Sequence, residues 1–138
     1  MNPFISKTLD ETVRFGETIG KSLKGGEVLI LSGQLGSGKT VLAKGVAAGL
    51  GIRDTVTSPS FAILNVYRGR VDLYHFDFYR LEDPSEMEEM LEDYAYRRDG
   101  VALIEWGERI LSRLGEYIII RFQVFDTCRL ITLERRDG

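Results

Sequence analysis

The sequence predicts an α/β fold, a three-layer sandwich with a mixed central sheet, and three observations carry that reading. An apolar run, Val28–Ser32, leads into a glycine-rich octapeptide and then a helical stretch, Val41–Leu50. Two later runs, Val71–Arg80 and Val101–Glu105, read as strands carrying acids toward their carboxyl ends. Tyr117–Val124 and Arg129–Glu134, joined by Asp126-Thr127, read as a hairpin, which adds an antiparallel pair.

The octapeptide, Gly33-Gln34-Leu35-Gly36-Ser37-Gly38-Lys39-Thr40, fits G-x-x-x-x-G-K-[ST], the P-loop pattern. Glycines let the loop curl so that successive backbone N–H groups point at phosphate oxygens. The following helix adds its unpaired N-terminal N–H groups and its positive dipole end. On this reading Gly36, Ser37, Gly38, Lys39, Thr40 and Val41 hold nucleotide phosphates, Lys39 reaches the β- and γ-phosphates, and the Thr40 hydroxyl ligates Mg²⁺. Strand, glycine-rich loop and helix in that order make this a P-loop NTPase-like sandwich.

At 138 residues the chain is expected to be one domain, 1–138. It is 43% hydrophobic and 28% charged, an ordinary globular balance. No apolar run approaches the roughly 20 residues of a membrane span, and residues 1–7 lack the apolar core of a signal peptide. The single Cys128 allows no internal disulfide and no thiolate cluster, so a cytoplasmic location is expected. A net charge of −3 argues against a nucleic-acid binder held mainly by phosphate contacts. There is no internal repeat, low-complexity segment or linker.

Taking the elements in order, Phe4–Lys7 reads as a short strand. Thr8 and Glu11 form a capping box for a helix that aligns Thr12, Phe15, Ile19 and Leu23 on one face and stops at Gly25-Gly26. That face reads as core packing, or, for Thr12 and Phe15, as a border of the nucleotide base. The helix after the P-loop puts Leu42, Val46 and Leu50 on one ridge and Gly45 and Gly49 on another, and glycines so placed suggest close packing. Thr57-Ser58-Pro59-Ser60 reads as a turn and Phe61–Tyr67 as a strand. Hydroxyls downstream of a P-loop helix suit a γ-phosphate-sensing switch or an ordinary loop.

Along Val71–Arg80, Val71, Leu73, His75, Asp77 and Tyr79 share one face, and Tyr74, Phe76 and Phe78 the other. Asp77 then stands near the strand's carboxyl end, where α/β sheets bind ligands, suited to orient an attacking water or a hydrated metal, or else to pair with a nearby Arg. Asp83 and Pro84 start an amphipathic helix with Met87, Met90, Leu91 and Tyr94 inside and acids outside. In Val101–Glu105 a buried strand delivers Glu105 to the Mg²⁺ shell, the logic of a Walker B strand, and Trp106 follows beside it. Glu108–Leu114 reads as a short helix, and 135–138 as a frayed tail.

With the P-loop, Thr57-Ser58-Pro59-Ser60-Phe61, His75-Phe76-Asp77-Phe78-Tyr79-Arg80 and Glu105-Trp106 in this order, the chain resembles the TsaE (YjeE) family of small bacterial P-loop ATPases. The resemblance implies ATP/ADP and Mg²⁺ as ligands, Lys39 on phosphate, Thr40 and Glu105 on the metal, Asp77 at the catalytic metal shell and Trp106 lining the site. Thr12 and Arg129 fall where such proteins approach adenine. It also implies work with the TsaB–TsaD heterodimer in making N6-threonylcarbamoyladenosine at position 37 of tRNA, with tRNA met only through that complex and no membrane partner. Departures from the family pattern are Ser60 for its usual Thr, Ala62 for Thr, Val66 for an acid and Gln34 for an acidic or Asn residue.

Other classes stay open on the residues themselves: a small P-loop kinase, or a module that binds nucleotide without hydrolysing it. A GTPase would carry Asn-Lys-x-Asp, which is missing. No residue is identifiable as an arginine finger, which predicts slow hydrolysis alone and a partner that completes the site.

Overall fold

The computed structural model describes residues 3–34, 38–59 and 62–137. Gly36, Ser37, Ser60 and Phe61, all named above, lie outside the described residues. In chain order the elements are β1 (Phe4–Ser6), α1 (Leu9–Ser22), β2 (Val28–Ser32), α2 (Lys39–Gly49), β3 (Leu64–Tyr67), β4 (Asp72–Asp77), α3 (Pro84–Leu91), β5 (Gly100–Glu105), a 3₁₀ helix (Glu108–Arg113), β6 (Glu116–Val124) and β7 (Arg129–Asp137).

The strands form one seven-stranded sheet in the order β1-β7-β6-β2-β5-β4-β3. Its centre, β6-β2-β5-β4, is parallel, and β1, β7 and β3 join antiparallel. The sheet is mixed and the fold α/β, as the sequence predicts. Side chains alternate across it: Leu29, Leu31, Leu73, Leu103 and Ile120 pack toward α1 and α2, while Ile30, Phe76, Ile104 and Ile119 pack toward α3 and the 3₁₀ helix. Every residue of β5 is buried, which is why that strand reads as an unbroken apolar run.

Thr8 caps α1, its Oγ1 accepting the Glu11 N–H at 3.1 Å, and Glu11 Oε1 accepts the Lys7 N–H at 3.1 Å. The helix stops at Ser22, ahead of the glycine pair. Two side chains meet the early stop: Glu27 accepts the N–H groups of Lys24 and Gly25 at 2.9 and 2.8 Å, and the Arg70 guanidinium donates to the carbonyls of Leu23 and Gly20 at 2.9 and 3.1 Å.

Helices α1 and α2 meet backbone to backbone. A Cβ on Gly45 would overlap the Val13 carbonyl oxygen, one on Gly49 the Glu17 carbonyl oxygen, and one on Gly20 the Val46 carbonyl oxygen. On Gly16 it would stand 2.6 Å from the Leu42 carbonyl oxygen. The paired glycines of α2 therefore have partners in α1, and the close packing read from Gly45 and Gly49 is present.

Besides the end of α1, four boundaries differ from the sequence expectations. β3 begins at Leu64 because Ile63 has φ +69°, and its N–H and carbonyl are taken by Pro59 O and Asp77 N. β4 ends at Asp77, not Arg80, and the next residue, Phe78, turns its N–H to the Glu105 carbonyl. α3 ends at Leu91, yet Tyr94 beyond it still packs on Tyr74 and Phe76, with centroids 5.0 and 5.8 Å apart. The tail is not frayed through 137: Arg135–Asp137 continue β7 opposite Glu116–Ile118, and Arg135 pairs with Glu116 at 3.1 Å. Among the described residues no helix is long and apolar enough to cross a membrane.

Candidate functional site

The parallel centre of the sheet brings the carboxyl ends of β2, β4 and β5 to one edge. β2 lies between β5 and β6, and the chain leaves β2 toward the β3 edge but leaves β5 the opposite way, toward β6. Ligands of such sheets sit in the crevice beyond that point.

A cavity of about 260 Å³ opens there. Its floor is the start of α2: Gly38, Lys39, Thr40 and Val41. Asp77 and Glu105 close one side, Trp106 lies beside them, and Arg129 and Leu9 stand along the rim. Of the residues singled out from sequence, eight meet in this one cleft. Gly36 and Ser37 lie outside the described residues.

Gly38 holds the helix entrance. Its φ of +108° is a left-handed geometry that side chains disfavour, and Arg129 lies against it, with Nε 3.3 Å from where a Cβ would sit. Arg129 is thus placed at Gly38, over the first turn of α2.

Lys39 is buried, 5% exposed. Its Nζ donates to the Gly33 carbonyl at 2.8 Å and lies 3.9 Å from the centroid of the Trp106 ring. Burial pushes the ammonium below its ordinary range, and the charges of Glu105, Glu108 and Asp77 pull it partly back. A cation so desolvated, resting on an aromatic face, attracts an anion more strongly than one in water.

Asp77 and Glu105 are paired in register at the ends of β4 and β5. Asp77 Oδ1 accepts the Tyr79 N–H at 2.9 Å, and Ser58 Oγ approaches Oδ2 to 3.5 Å. This links the Thr57–Pro59 segment to the acid. Glu105 Oε2 lies 2.7 Å from His75 Nε2. Trp106 has φ +61°, an outlier for a bulky residue, which stores on the order of 1–3 kcal/mol. The turn lays its ring beside Tyr79, with centroids 5.0 Å apart, and beneath Lys39.

Of the two readings of Thr12 the structure favours core packing, and one further placement, Glu108, was not legible in the sequence. Thr12 does not reach the cleft: it is fully buried, its hydroxyl 2.6 Å from Ser6 Oγ and 3.4 Å from the Thr8 carbonyl, and Leu9 faces the cleft in its stead. Glu108 was read only as a helix start, yet it accepts a hydrogen bond from Ser32 Oγ at 3.0 Å and its charge is felt at Lys39. The signal available was its place three residues after Glu105, beyond a strand end.

The donor set fits Mg²⁺. Thr40, Asp77 and Glu105 offer hard oxygen atoms to one cleft. Among the described residues there is no cluster of three or more His, Cys, Asp or Glu able to cage an ion unaided. A site with few protein ligands that leaves the rest to phosphate and water is how Mg²⁺ is held with a nucleotide.

A family model described as threonylcarbamoyl adenosine biosynthesis protein TsaE matches residues 6–131. The chain belongs to the TsaE family. It is 43% identical over 115 residues to the tRNA threonylcarbamoyladenosine biosynthesis protein TsaE of Treponema pallidum (strain Nichols), covering 83% of this chain and 85% of that one. It is 43% identical over 108 residues to the protein of the same name in Bacillus subtilis (strain 168), covering 78% of this chain and 67% of that one. The crystal structure of YdiB from Bacillus subtilis superposes with a TM-score of 0.81 at 32% identity, over 99% of this chain and 86% of that one. The TsaE family match spans the P-loop, Asp77, Glu105 and Arg129 alike.

Proposed function

We propose that this protein binds ATP with Mg²⁺ and hydrolyses it slowly, serving threonylcarbamoyl modification of adenosine 37 in tRNA together with the TsaB–TsaD complex. The observation that carries the reading is the convergence of Lys39, Thr40, Asp77 and Glu105 on one cleft at the head of a P-loop helix. Membership of the TsaE family supports the tRNA-modifying context.

Lys39 would exchange the Gly33 carbonyl for the β- and γ-phosphates, bringing its charge to where negative charge grows. Thr40 and Glu105 would hold Mg²⁺, which when bound offsets phosphate charge. Asp77 would orient the attacking water, its carboxylate already fixed by the Tyr79 amide. Arg129, over Gly38, would border the nucleotide from the β7 side. No arginine finger is assigned from this chain, so the partner complex is expected to raise turnover.

ATP turnover measured alone and with purified TsaB–TsaD, with GTP as control, tests this. Slow, adenine-selective turnover that rises with the partners is expected. Turnover indifferent to the partners, or phosphate passed to a metabolite rather than water, would overturn it in favour of a kinase or a separate ATPase.

A further inference from the structure

His75 has no part in the chemistry above, and it is fully buried on β4. Its Nε2 lies 2.7 Å from Glu105 Oε2. A carboxylate accepts and cannot donate, so Nε2 carries the hydrogen. The other ring nitrogen, Nδ1, is buried with no hydrogen-bond partner among the described residues. A hydrogen there would leave a donor unsatisfied, so the pattern of bonds assigns the tautomer with hydrogen on Nε2.

The sheet register explains why these two side chains meet. Asp77 stands opposite Glu105 and His75 opposite Leu103, so His75 and Asp77 share a face and His75 reaches diagonally to the glutamate. Both strands lie inside the sheet, and His75 is also covered by β3, where Asn65 is its register partner. The ring therefore has a fixed seat from which to hold the carboxylate.

We propose that His75 is a positioning residue for Glu105: it clamps one carboxylate oxygen and so presents the other to a divalent cation held with the nucleotide. This rests on the Mg²⁺–nucleotide reading of the cleft. A glutamate ending a strand can swing its carboxylate about the terminal torsion, which is broad and nearly unrestrained. A hydrogen bond from behind removes that freedom. Outer-shell partners of this kind set metal affinity by roughly 10–100-fold.

The test compares binding of the non-hydrolysable ATP analogue AMP-PNP with Mg²⁺ and in EDTA, read by the fluorescence of Trp106, the sole tryptophan. The ratio of the two affinities isolates the metal's contribution. His75→Phe is expected to leave metal-free affinity within about twofold and to cut the Mg²⁺ enhancement by about 10–100-fold. His75→Gln, which can place an amide donor near the Nε2 position, should restore most of it. In a Glu105→Ala background His75→Phe should cost nothing further, since the group it positions is gone.

Equal loss of affinity with and without Mg²⁺, or full additivity with Glu105→Ala, would make His75 a packing residue and overturn the proposal. If His75→Phe does not fold, His75→Gln and His75→Asn carry the comparison: Asn is too short to reach, so equal Mg²⁺ enhancement in the two overturns it. Glu105→Ala alone separates the levels. If it leaves the enhancement intact, the metal reading of the cleft fails; if it abolishes the enhancement while His75→Phe does not, only the positioning role fails.

Discussion

Asp77 and Glu105 end neighbouring parallel strands in the same register, which sets two buried carboxylates side by side at the wall of one cleft. Lys39 brings its positive charge to both of them and to Glu108. Asp77→Asn is expected to leave the nucleotide-free protein folded, since the amide oxygen can still accept the Tyr79 N–H, and to lower ATP turnover about 100-fold or more. Thermal melting in EDTA and a turnover assay check both, and a folded protein with normal turnover would contradict the role given to Asp77.

Lys39 supplies a pH dependence with a definite sign. Burial lowers its pKa in the free protein, whereas a polyphosphate favours the charged form and draws it back up. Affinity for AMP-PNP should therefore fall as pH rises through the free-protein value, starting below the ordinary lysine value of 10.5, by up to about tenfold per pH unit. In the same window the unfolded lysine holds a proton that the folded one has lost, so the free protein gains stability from this group as pH rises. Lys39→Arg, which stays protonated, should show no such fall even if it binds weakly. Binding titrations across the alkaline range read this directly.

The α1–α2 seam predicts a reversal of the usual preference for alanine over glycine. In an exposed helix, Gly→Ala gains about 1 kcal/mol. At Gly45 the new Cβ meets the Val13 carbonyl oxygen, part of another helix's backbone, with no rotamer to move aside. Overpacking of this kind costs about 1–3 kcal/mol or more. Gly45→Ala should thus be clearly destabilising by urea denaturation, and neutral or better stability would show that the helices separate easily.

Thr12 separates two readings of one residue. Its hydroxyl is shared with Ser6 in the interior, so Thr12→Val should cost about 1 kcal/mol of stability. Because the side chain is buried away from the cleft, AMP-PNP affinity should change less than about twofold. A large loss of affinity with unchanged stability would return Thr12 to the border of the adenine.

Much of the site was legible because its residues sit where backbone pattern alone decides position. The apolar runs before Gly33 and Glu105 could only be buried strands, and acids ending such strands must emerge at one edge once the strands are parallel. Asp77 followed from simple alternation along β4. Contacts made by side chains across the fold were less visible. Thr12 lies on the face of α1 that the periodicity marks as inward, but only the docking of β1 beside it shows Ser6 waiting for its hydroxyl. The end of α1 was misjudged because one of the groups that meet it, Arg70, comes from a distant turn. Residues 135–137 look like a polar tail and become strand because β6 is long enough to pair with them.

The glycine seam has a further consequence for how the protein moves. Side chains between helices act as a soft bearing: they change rotamers and let one helix slide on the other. Between Gly16, Gly20, Gly45 and Gly49 no such bearing exists, and α1 and α2 are keyed together like two racks of teeth. The helix that begins at Lys39 is consequently poor at tilting or turning when the cleft fills. The less regular side of the cleft is at the strand ends, where Ser58 touches Asp77, Ile63 carries a left-handed kink and Trp106 sits on a strained turn. If the proposed nucleotide does bind, those strand ends are where the fold has room to respond to it.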